Sequence, residues 1–136
     1  MVPNPSWQTV GGSEERVKVG IIGTGKMGRG FAEALSATHE VTVGSRDPEH
    51  ARTVAAKTEA AGGATYADAA ANTDVVILTV PWSAMQDTLA ELGDVSGTVV
   101  DDISYPYNKL EREALEGRST AELIQERLPD ARVYKG

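Results

Sequence analysis

The sequence predicts an α/β fold: a single domain built on a doubly wound, mostly parallel sheet of about six strands. Three observations carry this expectation. Apolar, β-branched runs alternate with helical patterns from Val17 to the end of the chain. The connections between them are short, as right-handed crossovers in such sheets require. One run, DVVILTV at residues 74–80, is apolar nearly throughout, which suits a central strand buried on both faces.

Each element can be argued in turn. Residues 17–22 (VKVGII) form the first strand, and residues 26–37 place Met27, Phe31, Ala34 and Leu35 at helical spacing, with Met27 and Phe31 expected in the core. Residues 41–43 form the second strand. Asp47-Pro48 reads as an N-cap followed by proline at the first helical position, opening a helix that Gly62-Gly63 is expected to close. A brief third strand is expected at 64–66 and a short helical connection at 68–72. After the fourth strand, Ser83 with Gln86 suggests a capping box for a helix reaching about Leu92. Residues 98–103 make a fifth strand. Ser119 with Glu122 is a second capping box, for a helix to about Leu128, and residues 132–134 form the last strand. Residues 104–118 show no clear pattern; long connections of that kind often carry function.

Composition narrows the function. The 136 residues carry a net charge of −7, which argues against nucleic acid or an anionic membrane surface as a partner. The chain has no cysteine, so thiolate catalysis and cysteine metal sites are excluded, and two histidines, His39 and His50, are too few for a histidine cluster. No run approaches the length of a membrane helix. Residues 1–15 lack an apolar stretch and read as a flexible tail rather than a signal peptide, leaving 16–136 as the folded domain and a cytoplasmic location as the default.

The chemistry begins at Gly23-Thr24-Gly25-Lys26-Met27-Gly28. This G-x-G-x-x-G directly follows an apolar strand and directly precedes an amphipathic helix, the context that makes the motif a dinucleotide-binding fingerprint of Rossmann type. Gly23 permits a tight turn, Gly25 lets the backbone approach a pyrophosphate, and Gly28 lets helix and strand pack closely. The helix N-terminus supplies amides and a positive dipole end. The plainer alternative is a strand–helix turn that needs glycine for conformation alone. Lys26 and Arg29 either add positive potential or are solvated surface charges.

The end of the second strand sets the choice of nucleotide. A site for NAD places Asp or Glu there for the ribose 2′-hydroxyl. Here the stretch reads Val43-Gly44-Ser45-Arg46-Asp47. Gly44 removes the acceptor and its charge, Ser45 offers a hydroxyl, and Arg46 offers a planar cationic fork suited to phosphate. Thr24 adds a second hydroxyl. These residues select NADP(H). The competing readings make Asp47 the ribose ligand rather than a helix cap, and Arg46 a merely solvated charge.

Four stretches carry a family resemblance: 22–28 (IGTGKMG), 43–46 (VGSR), 78–82 (LTVPW) and 119–136 (STAELIQERLPDARVYKG). The sequence resembles the coenzyme F420-dependent NADP reductase family, and in the same way the nucleotide domain of STEAP ferric reductases. A more distant likeness is to pyrroline-5-carboxylate reductases. The resemblance implies that Thr24, Ser45 and Arg46 hold the 2′-phosphate, and that Thr79, Val80, Pro81 and Trp82 lie beside the nicotinamide. Trp82 either covers a ring there or packs on the surface. Two departures stand out. Relatives commonly carry Asn-Pro after the fifth strand, where this chain has Tyr105-Pro106. Relatives also continue beyond the equivalent of Lys135-Gly136 into helices that complete a second-substrate site, so that site is expected to be incomplete here.

The implied reaction is hydride transfer between nicotinamide and a deazaflavin such as coenzyme F420, a flavin, or another small acceptor. The cofactors carry such chemistry, and no catalytic acid–base residue is expected. Asp68, Asp74, Asp101 and Asp102 read as caps, turns or strand ends, while Tyr105 and Tyr107 are candidates to touch a substrate. Two rivals remain: a stand-alone NADP(H)-binding module without turnover, and an imine reductase of the pyrroline-carboxylate type. The expected partner is a small dinucleotide, with self-association into a homo-oligomer left open.

Overall fold

The computed structural model describes residues 16–106 and 108–136. The expected tail at 1–15 and Tyr107 lie outside the described residues.

Among the described residues six strands form one sheet: β1 (Lys18–Ile22), β2 (Glu40–Gly44), β3 (Gly62–Ala64), β4 (Val75–Leu78), β5 (Val99–Asp102) and β6 (Arg132–Lys135). Their order is β3-β2-β1-β4-β5-β6, and every pairing is parallel. The order reverses between β1 and β4, where Ile22 lies level with Leu78, and the carboxyl ends of the strands open a crevice at that switch point. This is the α/β architecture that strand–helix alternation predicts.

Among the described residues there are six α-helices: α1 (Lys26–Ser36), α2 (Pro48–Thr58), α3 (Tyr66–Ala70), α4 (Met85–Ala90), α5 (Lys109–Ala114) and α6 (Thr120–Arg127), of which α5 buries no residue. Strand side chains alternate between faces, so one strand feeds two cores. Val19 and Ile21 of β1 join Ile77 of β4, Phe31 and Leu35 of α1 and Val54 of α2 in one cluster. Ile22 and Leu78 point the other way, onto Ala69, Met85, Leu89 and Ile124 from α3, α4 and α6.

Local signals explain most helix starts. Asp47 caps α2, its carboxylate accepting the Glu49 amide at 3.0 Å, with Pro48 at the first helical position. Ser119 and Glu122 form the full reciprocal capping box of α6. Thr65 caps α3, accepting the Asp68 amide at 3.2 Å.

Four expectations are corrected. Gly62 and Gly63 do not close α2; Glu59 does, in the left-handed conformation at φ 61°, and the two glycines begin β3. Ser83 and Gln86 make no capping box, because the chain leaving Pro81 winds into a 3-10 turn at Trp82–Ala84 and α4 starts only at Met85, without a side-chain cap. The patternless stretch at 104–118 contains α5, capped by Asn108, whose side-chain Oδ1 accepts the Glu111 amide at 2.8 Å. Met27 is exposed rather than core; the buried face of α1 is Gly28, Phe31, Ala32 and Leu35.

Candidate functional site

The glycine loop is anchored from both sides. The Gly23 amide donates to the Gly44 carbonyl at 3.1 Å, tying the end of β1 to the end of β2. On the other side the Thr79 hydroxyl and amide both donate to the Ile22 carbonyl at 2.9 Å, tying β1 to β4. Gly23 takes φ +122°, which side chains rarely adopt, and a side-chain carbon at Gly28 would collide with the Gly23 carbonyl and stand 2.9 Å from the Thr79 hydroxyl. Both glycines are therefore demanded by packing. Gly25 differs: a side-chain carbon there would meet no protein atom within 4 Å.

Above Gly25 lies a cavity of about 400 Å³, lined by residues 23–27, by Thr79, Val80 and Pro81 from the end of β4, and by Tyr66, Ile103, Ser104 and Tyr105. The helix that points into it has no side-chain cap at Gly25 and no acidic residue in its first turn. Its amides and dipole end thus face open space, with Lys26 among the lining residues. Arg29 is turned elsewhere, its guanidinium donating to the Thr24 carbonyl at 3.0 Å.

Of the residues singled out from sequence, the structure brings Gly23, Thr24, Gly25, Lys26, Met27, Thr79, Val80 and Pro81 to this one cavity. Gly28 is buried beneath it. Trp82 is half-buried, packed against the core from the 3-10 turn, and does not line the cavity. Ser45 and Arg46 follow the end of β2, outside the lining. The Ser45 hydroxyl accepts the Asp47 amide at 3.2 Å, and the Arg46 guanidinium meets the Glu91 carboxylate at 3.1 Å. Asp47 is engaged in capping α2, which supports the cap over the ribose-ligand alternative.

Gly44 gains a second reason. A side-chain carbon there would stand 2.9 Å from the Ala69 methyl and 3.2 Å from Ile22, because α3 crosses the end of β2 at close range. Packing thus keeps any side chain, a carboxylate included, out of position 44.

Tyr66, Ile103 and Ser104 were not evident from sequence, since nothing local marks them. Tyr66 opens α3 and lines the cavity. Burial pushes its hydroxyl above the ordinary pKa, opposed by the Arg46 cation, reinforced by Glu91 and opposed again by a hydrogen bond with Thr88. Ser104 is held from behind by Asp102, a fully buried carboxylate at the end of β5. Asp102 accepts the Ser104 amide at 2.8 Å and hydroxyl at 2.5 Å, the Thr120 hydroxyl at 2.6 Å and the Lys135 ammonium at 3.3 Å. Lys135 also donates to the Ser104 carbonyl and to Thr120. This network fixes the wall that carries Tyr105, which is 59% exposed at the cavity rim.

The family described as NADP oxidoreductase, coenzyme F420-dependent, matches residues 18–106, taking in the glycine loop, the end of β2 and the end of β4. The chain belongs to that family. Over 103 residues it is 45% identical to the F420-dependent NADP reductase of Methanothermobacter thermautotrophicus, an alignment covering 68% of this chain and 44% of that enzyme. The enzyme of the same name from Methanothermobacter marburgensis is 40% identical over 103 residues, covering 68% of this chain and 46% of its own length. The family member described here thus spans about half the length of these two reductases. A crystal structure of a candidate F420-dependent NADP reductase from Arthrobacter sp. FB24 superposes with a TM-score of 0.74 at 26% identity, covering 88% of this chain and 61% of the other. The fold is also shared with a pyrroline-5-carboxylate reductase of Coxiella burnetii, at a TM-score of 0.66 and 20% identity, covering 89% of this chain and 43% of that one. Among the described residues no helix is long and apolar enough to cross a membrane.

Proposed function

We propose that this F420-dependent NADP oxidoreductase family member binds NADP(H) in the crevice between β1 and β4 and presents the nicotinamide to a deazaflavin or flavin acceptor. One observation carries the reading: an uncapped α1 N-terminus faces an open cradle at Gly25, and β2 ends on a glycine followed by a serine and an arginine rather than on a carboxylate.

The residues present fit the nucleotide. The α1 amides and Lys26 would hold the diphosphate. Thr24, Ser45 and Arg46 would hold the 2′-phosphate, two hydroxyls and a cationic fork against a dianion. Thr79, Val80 and Pro81 would flank the nicotinamide end, with Met27, Ile103 and Tyr105 bounding the space left for an acceptor. When bound, the nicotinamide supplies or takes up a hydride; a dihydronicotinamide that gives one becomes the oxidised ring, and the acceptor gains the hydride and a proton. The protein's part is to orient and to exclude water, which needs a fixed wall more than a titrating group. The anchored glycine loop and the Asp102 network supply such a wall.

The test is a pair of measurements on the purified chain. NADPH should bind at least about tenfold more tightly than NADH, the margin expected of a charge-assisted phosphate contact. NADPH absorbance should then fall when coenzyme F420 or FMN is added. Equal affinity for the two dinucleotides rejects the 2′-phosphate assignment. Tight NADPH binding without oxidation by either acceptor rejects hydride transfer and leaves a nucleotide-binding module.

A further inference from the structure

β2 ends on a glycine rather than a carboxylate, yet a carboxylate reaches the neighbouring Arg46 from elsewhere. Glu91, the residue that ends α4, places its side chain 3.1 Å from Arg46, a partner 45 positions away in sequence. Both side chains are about half exposed, at 55% and 51%, so the pair is open to solvent and to a ligand. Tyr66, a lining residue of the cavity, feels both charges. Arg46 is thus held by an internal anion at the place where a phosphate is expected to arrive.

We propose that Glu91 is a specificity-determining residue that competes with the ribose 2′-phosphate for Arg46 and so lowers the affinity of the site for 2′-phosphorylated nucleotides. The inference rests on the 2′-phosphate reading above and goes beyond it. Binding of a 2′-phosphate exchanges one ion pair for another. The exchange runs forward because a phosphate brings nearly two negative charges and three oxygens where Glu91 brings one charge. It runs forward less far than it would with a free guanidinium. A dinucleotide with a plain 2′-hydroxyl has no anion to offer there, so the Arg46–Glu91 pair persists and Glu91 leaves its affinity unchanged. An exposed pair of this kind is weak, so the effect is a tuning of several-fold rather than a gate.

The probes are 2′,5′-ADP and 5′-ADP, titrated against the wild-type chain, Glu91→Gln, Arg46→Ala and the double variant, with each variant's melting curve confirming that it is folded. Glu91→Gln should tighten 2′,5′-ADP about three- to tenfold, leave 5′-ADP within about twofold, and lose most of its gain in about 0.5 M salt. In the Arg46→Ala background the same exchange should change 2′,5′-ADP binding by less than about twofold, since the two residues act as one unit. If Arg46→Ala weakens both probes equally, the 2′-phosphate reading itself falls. If Arg46→Ala weakens only 2′,5′-ADP while Glu91→Gln changes nothing or weakens it too, the competition is overturned and the reading stands. A full Glu91→Gln gain without Arg46 also overturns it, because Glu91 would then act on the ligand directly.

Discussion

The hydroxyl of Thr79 donates to the carbonyl of Ile22 at 2.9 Å, and on its far side it lies within reach of both Gly23 and Gly28. One side chain therefore clasps the ends of β1 and β4 and supports the glycine loop. Thr79→Val keeps the shape and deletes the hydroxyl. It should cost about 1 kcal/mol of stability, because the Ile22 carbonyl still receives the residue-79 amide. Its bulkier methyl would also press on the two glycines and weaken NADPH binding about three- to tenfold. Thr79→Ser should restore both. Thermal melts and NADPH titrations check this; a valine variant that binds like wild type would show that the loop does not depend on Thr79.

Gly44→Asp restores the residue that an NAD site would carry. The new side chain would enter a space already filled by Ala69 and Ile22, 2.9 and 3.2 Å from its first carbon. The variant should lose about 2–4 kcal/mol and gain no NADH affinity, since overpacking and a badly housed carboxylate both oppose it. A stable variant with improved NADH binding would mean that only charge, and not packing, keeps position 44 bare.

Asp102→Asn should lower stability by about 1–3 kcal/mol, because a fully buried carboxylate that accepts four hydrogen bonds is replaced by a neutral amide. Lys135→Met should cost less, because the Lys135 side chain is 43% exposed while Asp102 is completely buried. Equal melting temperatures for Asp102→Asn and wild type would show that the network holds no stability.

Acid should also loosen the fold through His39. Burial first, and the Arg16 cation second, hold its pKa below the usual 6.5, and its Nδ1 accepts the Val17 amide at 3.1 Å. The folded state favours neutral imidazole, so the unfolded chain takes the proton first as pH falls. The contribution is whole above about pH 6.5 and is lost as pH drops below it. His39→Gln should show a smaller fall in melting temperature than wild type between about pH 7.5 and pH 5.5. Identical falls would exclude His39 as the cause.

What could be read from sequence were features whose partners lie nearby along the chain. Asp47-Pro48, the Ser119–Glu122 box and the glycine hexapeptide each act within a few residues, so their patterns identify them. The alternation of apolar runs with helical periods gave the parallel sheet for the same reason. Ser83–Gln86 failed although its pattern was equally good, because Pro81 directs the chain into a 3-10 turn first. Met27 sits at core spacing, yet at the first turn of α1 that face has already passed the end of the sheet and looks into the cavity. The residues missed altogether, Tyr66, Ile103 and Ser104, lie far in sequence from the glycine loop they face across the cavity, and only the topology brings them there.

Within one hexapeptide the glycines answer to different demands. Gly23 and Gly28 are required by neighbours inside the molecule, so the fold itself polices them. Gly25 sits at φ −74°, an ordinary extended conformation, beside empty space. An alanine there should pass unnoticed in a melting experiment and declare itself only when nucleotide is titrated. Position 25 is where selection for recognition can be told apart from selection for architecture.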